Sequence, residues 1–166
     1  VAVNVANLGR RPYLALNHRV AALLEDLGFL LRGEVVWQKA QGAGGSCAWG
    51  SWCSARNPTL RDVHEYVVVA SKGSFRRLRL GEDTISREEF LEATVSVWNI
   101  APASARRIGH PAPFPVELPR RLIELYTFSG DLVLDPFMGS GSTAVAAVEA
   151  GRRFVGYETE PAYLEI

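Results

Sequence analysis

Asp135 and Glu158 are the two acids whose surroundings point most directly to chemistry. Asp135-Pro136-Phe137-Met138-Gly139-Ser140-Gly141-Ser142-Thr143 joins an apolar run, Leu132-Val133-Leu134, to a small-residue stretch from Thr143 to Ala150 with helical character. A strand ending on Asp135 delivers a carboxylate to the edge of a sheet. Gly139 and Gly141 let backbone approach a ligand with no Cβ in the way, and the following helix N-terminus offers unpaired N–H groups to a carboxylate or phosphate. Gly151 ends that helix, and Arg153-Phe154-Val155-Gly156-Tyr157-Glu158 reads as the next strand. Glu158 then lies roughly 20 residues past the loop, the distance at which an acid reaches ribose hydroxyls in such units. The pattern is a nucleotide-cofactor loop, with a plain strand-to-helix turn as the alternative. A Walker-type phosphate loop needs a lysine after its second glycine, and Ser142 stands there, which argues against a nucleoside triphosphate. A dinucleotide loop takes a third glycine at position 144; Ala144 is tolerated there without deciding the matter.

The elements that must position these residues follow from hydropathy. Val1 to Ala6 reads as a buried strand, and Val20, Leu23, Leu24 and Leu27 recur at helical spacing before Gly28. Glu34 to Gln38 and Glu65 to Ala70 are further strands, the second a continuous apolar run suited to the middle of a covered sheet. Between them Ala40 to Arg56 is a long glycine-, serine- and tryptophan-containing loop, with Trp49 and Trp52 expected to pack it onto the body and direct contact with the bases or backbone of a nucleic acid as the alternative. Ser86-Arg87-Glu88-Glu89 has the spacing of a capping box and starts a short helix through Phe90 and Leu91. Leu118, Leu122, Leu125 and Tyr126 form the apolar face of a helix from Val116 to Tyr126 that precedes the loop strand.

Composition bounds the class. With 166 residues, 48% of them hydrophobic, and 18 basic against 18 acidic side chains, the chain is globular, and its net charge gives no prior for nucleic acid. Any such contact rests on local clusters, of which Arg76-Arg77, Arg79 and Arg106-Arg107 are candidates, with solvated surface arginines as the alternative. Cys47 and Cys53 lack a partner pair for zinc or a disulfide framework, which fits a reducing cytoplasm. No apolar run has membrane length.

Taken together these blocks resemble the DNA amino-methyltransferases, which move a methyl group from S-adenosyl-L-methionine to N6 of adenine or N4 of cytosine. Asp135-Pro136-Phe137 with Gly139-Ser140-Gly141 is similar to the family's cofactor motif, and Gly156-Tyr157-Glu158 to its ribose-binding acid. His110-Pro111-Ala112-Pro113-Phe114-Pro115 resembles the segment upstream that helps hold the methionine end. Trp49-Gly50-Ser51-Trp52, Asn57-Pro58 and Arg61 to Tyr66 are similar to the stretch between the catalytic half and a small target-recognition insert. The resemblance implies a doubly wound, mostly parallel Rossmann-like α/β sheet in the permuted order called the beta type. Residues 1–72 would end the catalytic half, 73–105 would be the insert, and 106–166 the cofactor half, all within one domain. It implies cofactor contacts from Phe114, Pro115, Asp135, Pro136, Phe137, Gly139, Ser140, Gly141, Thr143 and Glu158. DNA contacts would come from Arg76, Arg77 and Arg79 of the insert, and the partner would be double-stranded DNA with its target base flipped out. An insert this short carries few base contacts, so full specificity calls on the long loop or on a homodimer reading a second half-site. The implied setting is bacterial-type and cytoplasmic, with a cognate restriction endonuclease as a further partner or an orphan methylase as the variant.

The chain departs from the family in one respect. The catalytic signature Asp/Asn/Ser-Pro-Pro-aromatic occurs nowhere in it, and Asn57-Pro58-Thr59 lacks both the second proline and the ring. In the family that acid or amide and a proline carbonyl accept hydrogen bonds from the target amino group while the ring stacks on the base. The expectation is therefore a piece cut at both ends, with the motif upstream of Val1, inactive alone and poorly soluble through unpaired strand edges. The residue that bears on the target base, with adenine placed ahead of cytosine, belongs to the same absent motif. His64 and His110 are read as structural and His18 as a surface residue, since the amino nitrogen attacks without a histidine base. A non-catalytic cofactor- or DNA-binding module and a nicotinamide oxidoreductase share the loop physics; the second leaves the His110–Pro115 block without a role.

Overall fold

The structure, a computed structural model, describes residues 1–9, 12–39, 49–104 and 113–164. His110, Arg106-Arg107, Cys47 and the first part of the long loop lie outside the described residues. The chain forms two compact units, Val1–Arg77 with Ser96–Asn99, and Leu78–Val95 with Ile100–Ile166.

The first unit holds β1 (Ala2–Val5), α1 (Leu16–Asp26), β2 (Phe29–Gln38), β3 (His64–Lys72) and β4 (Val97–Asn99) in a sheet of order β1-β3-β2-β4. β3 runs antiparallel to both β1 and β2, whereas β4 pairs parallel with β2, so the described ladder is mixed. Val67, Val68, Val69 and Ala70 are all buried, the outcome expected of a continuous apolar run on an interior strand. Leu24 of α1 packs on Val68 and Ala70, with Val3, Val20, Ala21, Phe29 and Leu31 around them. Two members of the expected apolar face, Leu23 and Leu27, instead point to solvent; the helix turns Val20, Ala21 and Leu24 inward. β2 starts five residues earlier than its hydropathy suggests. Its register against β3 shifts between Leu31, opposite Ala70, and Gly33, opposite Val69, leaving Arg32 as the extra residue of a bulge. Asn17, 2% exposed, donates from Nδ2 to Glu34 Oε2 at 3.1 Å and ties α1 to β2.

The second unit contains α2 (Arg87–Ala93), α3 (Glu117–Tyr126), β5 (Leu132–Asp135), α4 (Ser142–Glu149), β6 (Arg153–Gly156) and the short α5 (Pro161–Leu164). β5 and β6 pair in parallel as a separate sheet. Ile123, Ala146 and Ala147 are the core here, with Val116, Val133, Ala150 and Phe154 packed on them. Small residues on α4 are what let that helix approach the strands closely. On α3 the buried side chains are Leu118, Pro119 and Ile123, and Tyr126 is exposed, so the expected face is rotated by about one residue.

α2 begins with the capping box anticipated from Ser86 and Glu89: Glu89 N donates to Ser86 Oγ at 3.2 Å and Ser86 N to Glu89 Oε2 at 3.1 Å. The other oxygen of Glu89 accepts from Arg120 Nη1 of α3 at 2.9 Å. Arg120 foremost, and then Ser86, holds the Glu89 carboxyl at about 2, against an ordinary value of 4.5. A carboxyl depressed in the folded state contributes stability above its unfolded value and loses it as pH falls through the folded one. Acidification from about pH 4.5 toward 2 is thus expected to loosen α2 from α3. Thermal melts across that window should show a smaller pH dependence in Glu89→Gln than in the parent, and an equal dependence in both would refute the assignment.

Candidate cofactor site

β5 carries Asp135 to its carboxyl end, and both carboxylate oxygens are engaged within the turn that follows. Oδ1 accepts from Phe137 N at 3.0 Å and Oδ2 from Thr143 Oγ1 at 2.6 Å. Asp135 therefore clamps the two ends of the loop together, spanning from the strand to the first turn of α4. Parallel pairing with β6 continues past the last ladder residue, with Tyr157 N donating to Asp135 O at 3.0 Å and Met138 N to Tyr157 O at 2.9 Å. The loop is thus laced to the segment that carries the second acid.

Glu158 closes the arrangement. Its Oε2 accepts from Gly139 N at 2.8 Å, while Oε1 accepts from Thr159 N at 2.8 Å and Glu160 N at 2.9 Å. The structure brings the two acids onto one loop, as their spacing predicts, and adds that Glu158 anchors the glycine turn itself. Charge-assisted bonds of this kind are about twice as strong as neutral ones.

Gly141 occupies the N-cap of α4 in the left-handed conformation, φ 83°. Gly139 is likewise at positive φ, 54°. A side chain at Gly141 would meet only the Ala144 methyl, 4.0 Å away, so the space above this turn is open and the backbone conformation is what selects glycine. The reverse holds at Gly156, where a Cβ would lie 2.6 Å from Met138 Sδ and collide with the Phe154 ring. Met138, not singled out from the sequence, packs the loop down onto β6. Upstream, Phe114 O accepts from Ser142 Oγ at 2.9 Å, which ties the Phe114-Pro115 segment to the start of α4, and Pro115 O accepts from Leu118 N at 3.1 Å in the first turn of α3. Phe137 is 86% exposed, an apolar ring standing free at the loop. A carboxylate or ammonium-bearing ligand with an apolar base fits such a site: open space over a helix N-terminus, two acids, and an exposed ring.

Arg76, Arg77 and Arg79 are all exposed, and Ser74 Oγ shapes the turn before them by accepting from Arg76 N at 3.2 Å. Arg76 and Arg77 belong to the first unit and Arg79 to the second. His18 is exposed, and His64 Nε2 lies 2.8 Å from Tyr66 Oη with the rings edge to face, a structural role. Trp49 and Trp52 lie against each other, and both are exposed rather than buried. Among the described residues no helix is long and apolar enough to cross a membrane.

A family model described as DNA methylase matches residues 5–166. The chain is 46% identical over 145 residues to type II methyltransferase M.BglI of Bacillus subtilis, covering 86% of this chain and 39% of that protein. It is 31% identical over 178 residues to type II methyltransferase M.MthZI of Methanothermobacter thermautotrophicus, covering 96% and 50% respectively. TTHA0409 of Thermus thermophilus, solved in complex with S-adenosyl-L-methionine, superposes with a TM-score of 0.78 at 26% identity, over 99% of this chain and 65% of that one. The fold is therefore the Rossmann-like α/β fold of DNA methyltransferases, and the chain belongs to the N6/N4 DNA methylase family. It spans half or less of the length of these two relatives.

Proposed function

We propose that the protein is an S-adenosyl-L-methionine-dependent methyltransferase acting on the exocyclic amino group of adenine (N6) or cytosine (N4) in double-stranded DNA, cytoplasmic and paired with a restriction endonuclease. The observation that carries this is the loop at the end of β5, where Asp135 and Glu158 together fix a left-handed glycine turn at the N-terminus of α4 in a chain of this family. In this reading the loop from Pro136 through Phe137, Gly139, Ser140 and Gly141 to Thr143 holds the methionine end through backbone N–H groups, with Phe114 and Pro115 beside it. Glu158 is the acid that takes the ribose hydroxyls in this reading. When bound, the cofactor supplies an activated methyl group, which the chain orients. Residues 1–72 end the catalytic half, 73–105 form the insert and 106–166 the cofactor half, and a homodimer would read two half-sites. Calorimetric titration with S-adenosyl-L-methionine, followed by transfer of labelled methyl to duplex DNA by a form of the enzyme that carries the Pro-Pro-aromatic motif, tests it; binding of a nicotinamide cofactor instead would refute it.

The insert supplies the DNA contacts in this proposal. Replacing Arg76, Arg77 and Arg79 by alanine together is expected to weaken DNA binding and to flatten its salt dependence by about 0.9 in the log–log slope for each phosphate contact removed. Cofactor affinity should stay constant. A slope equal to that of the parent would return these arginines to solvated surface.

A further inference from the structure

The strongest unassigned feature lies on the segment joining β2 to β3. Trp52 is 69% exposed and Trp49 40% exposed, their ring centroids 4.6 Å apart and their planes tilted by 46°. The Arg61 guanidinium sits over the Trp49 ring, 5.6 Å from its centroid. Exposing a ring this large to water is unfavourable, and tryptophan on a surface is characteristic of sites that bury it against a partner. The pair is also held rigidly. Ser51 N donates to Asn57 O at 2.9 Å and Thr59 N to Trp49 O at 2.9 Å, closing a miniature hairpin, and Ser51 Oγ donates to Ser54 O at 2.7 Å across the turn. At its apex Cys53 adopts φ 47°, a left-handed conformation uncommon for a residue with a side chain and one that clusters at functional positions. A turn built this tightly, with backbone strain at its tip, holds Trp52 outward at little further entropic cost on binding.

Charge identifies the partner. Between Gln38 and His64 the segment carries Lys39, Arg56 and Arg61 against one acid, Asp62, in a chain whose net charge is zero. Exposed aromatic rings on a segment with net positive charge, one of them under a guanidinium, match a polyanion with aromatic faces, and suit the sugar and base surfaces of DNA. We infer that Trp52, braced by Trp49 and Arg61, is a DNA-contacting residue, in addition to Arg76, Arg77 and Arg79 of the proposed insert. This inference rests on the DNA methyltransferase reading above.

Two of the chain's four tryptophans, Trp37 and Trp98, are 2% and 1% exposed, so acrylamide quenching of its fluorescence reports on Trp49 and Trp52. Random-sequence duplex DNA should shield the quenchable fraction in the parent protein. Trp52→Ala should raise the DNA Kd by roughly fivefold to a hundredfold, the range of an aromatic–base contact. Trp52→Phe should restore most of the affinity, and S-adenosyl-L-methionine binding should be unchanged throughout. The inference is overturned if the parent binds DNA while Trp52→Ala binds it equally well and quenching does not change, or if the quenchable fraction is already absent without DNA. Loss of cofactor binding in Trp52→Ala would also overturn it, by showing a structural role. A parent that binds the cofactor but no DNA at all defeats the DNA reading itself, and this inference with it.

Discussion

Glu158→Ala is expected to weaken S-adenosyl-L-methionine binding by about 1–3 kcal/mol, roughly a 5- to 150-fold rise in Kd, with little change in melting temperature. The loss has two origins. The carboxylate accepts from Gly139 N and so fixes the glycine turn, and in the proposed complex it also takes the ribose hydroxyls. Glu158→Gln separates them, since the amide oxygen can still accept from Gly139 N while its charge is gone; it should fall between parent and alanine variant. Gly141→Val attacks the same turn from the backbone, because a β-branched residue at φ 83° is a genuine outlier and a strained N-cap would displace the loop. Unchanged affinity in both Glu158→Ala and Gly141→Val would remove the site assignment.

The largest effect on stability is expected at Glu124. The Arg152 side chain is fully buried, and it donates from Nε to Thr127 Oγ1 at 2.9 Å and from Nη2 to Thr127 O at 2.7 Å, while Nη2 lies 3.4 Å from the Glu124 carboxylate. Nη1 reaches Thr84 Oγ1 and Ala150 O, so one guanidinium joins the segment before α2, the end of α3 and the end of α4. Removing the carboxylate leaves a buried cation with no counter-charge, a change that costs about 3–5 kcal/mol. Glu124→Ala should therefore lower the melting temperature by several degrees. Arg87→Ala breaks an ion pair whose two side chains are each about four-fifths exposed, and should change stability by well under about 1 kcal/mol. Equal melts for the two variants would show that the Arg152 hub does not hold the unit together.

The cofactor loop is legible in the sequence because its signal is local. A strand, two glycines and an acid at fixed spacing dictate backbone conformations that tertiary context only has to accept, and the capping box of α2 is legible for the same reason. What escapes a sequence reading is set by packing between elements distant along the chain. Arg152 follows a helix-ending glycine, and nothing in its neighbours distinguishes it from the exposed Arg153 beside it. On α1 the leucines at 23, 24 and 27 compete for one apolar face, and the strands beneath select Leu24. The general rule that large rings are buried misplaces the tryptophan loop, because it fails where a surface is made to meet a partner.

The bulge at Arg32 acts as a phase shifter. Phe29 and Leu31 turn toward α1 as odd-numbered residues, yet beyond the bulge it is even-numbered Glu34, opposite Val68, that faces the same helix and meets Asn17. The two halves of β2 thus keep opposite parity, and a single residue converts one alternation into the other. Losing that residue would not shorten a loop. It would force one half of the strand to invert, turning either Phe29 and Leu31 away from α1 or the buried Trp37 over to the helix side, so tolerance to a one-residue deletion should be far lower here than in the turns at either end.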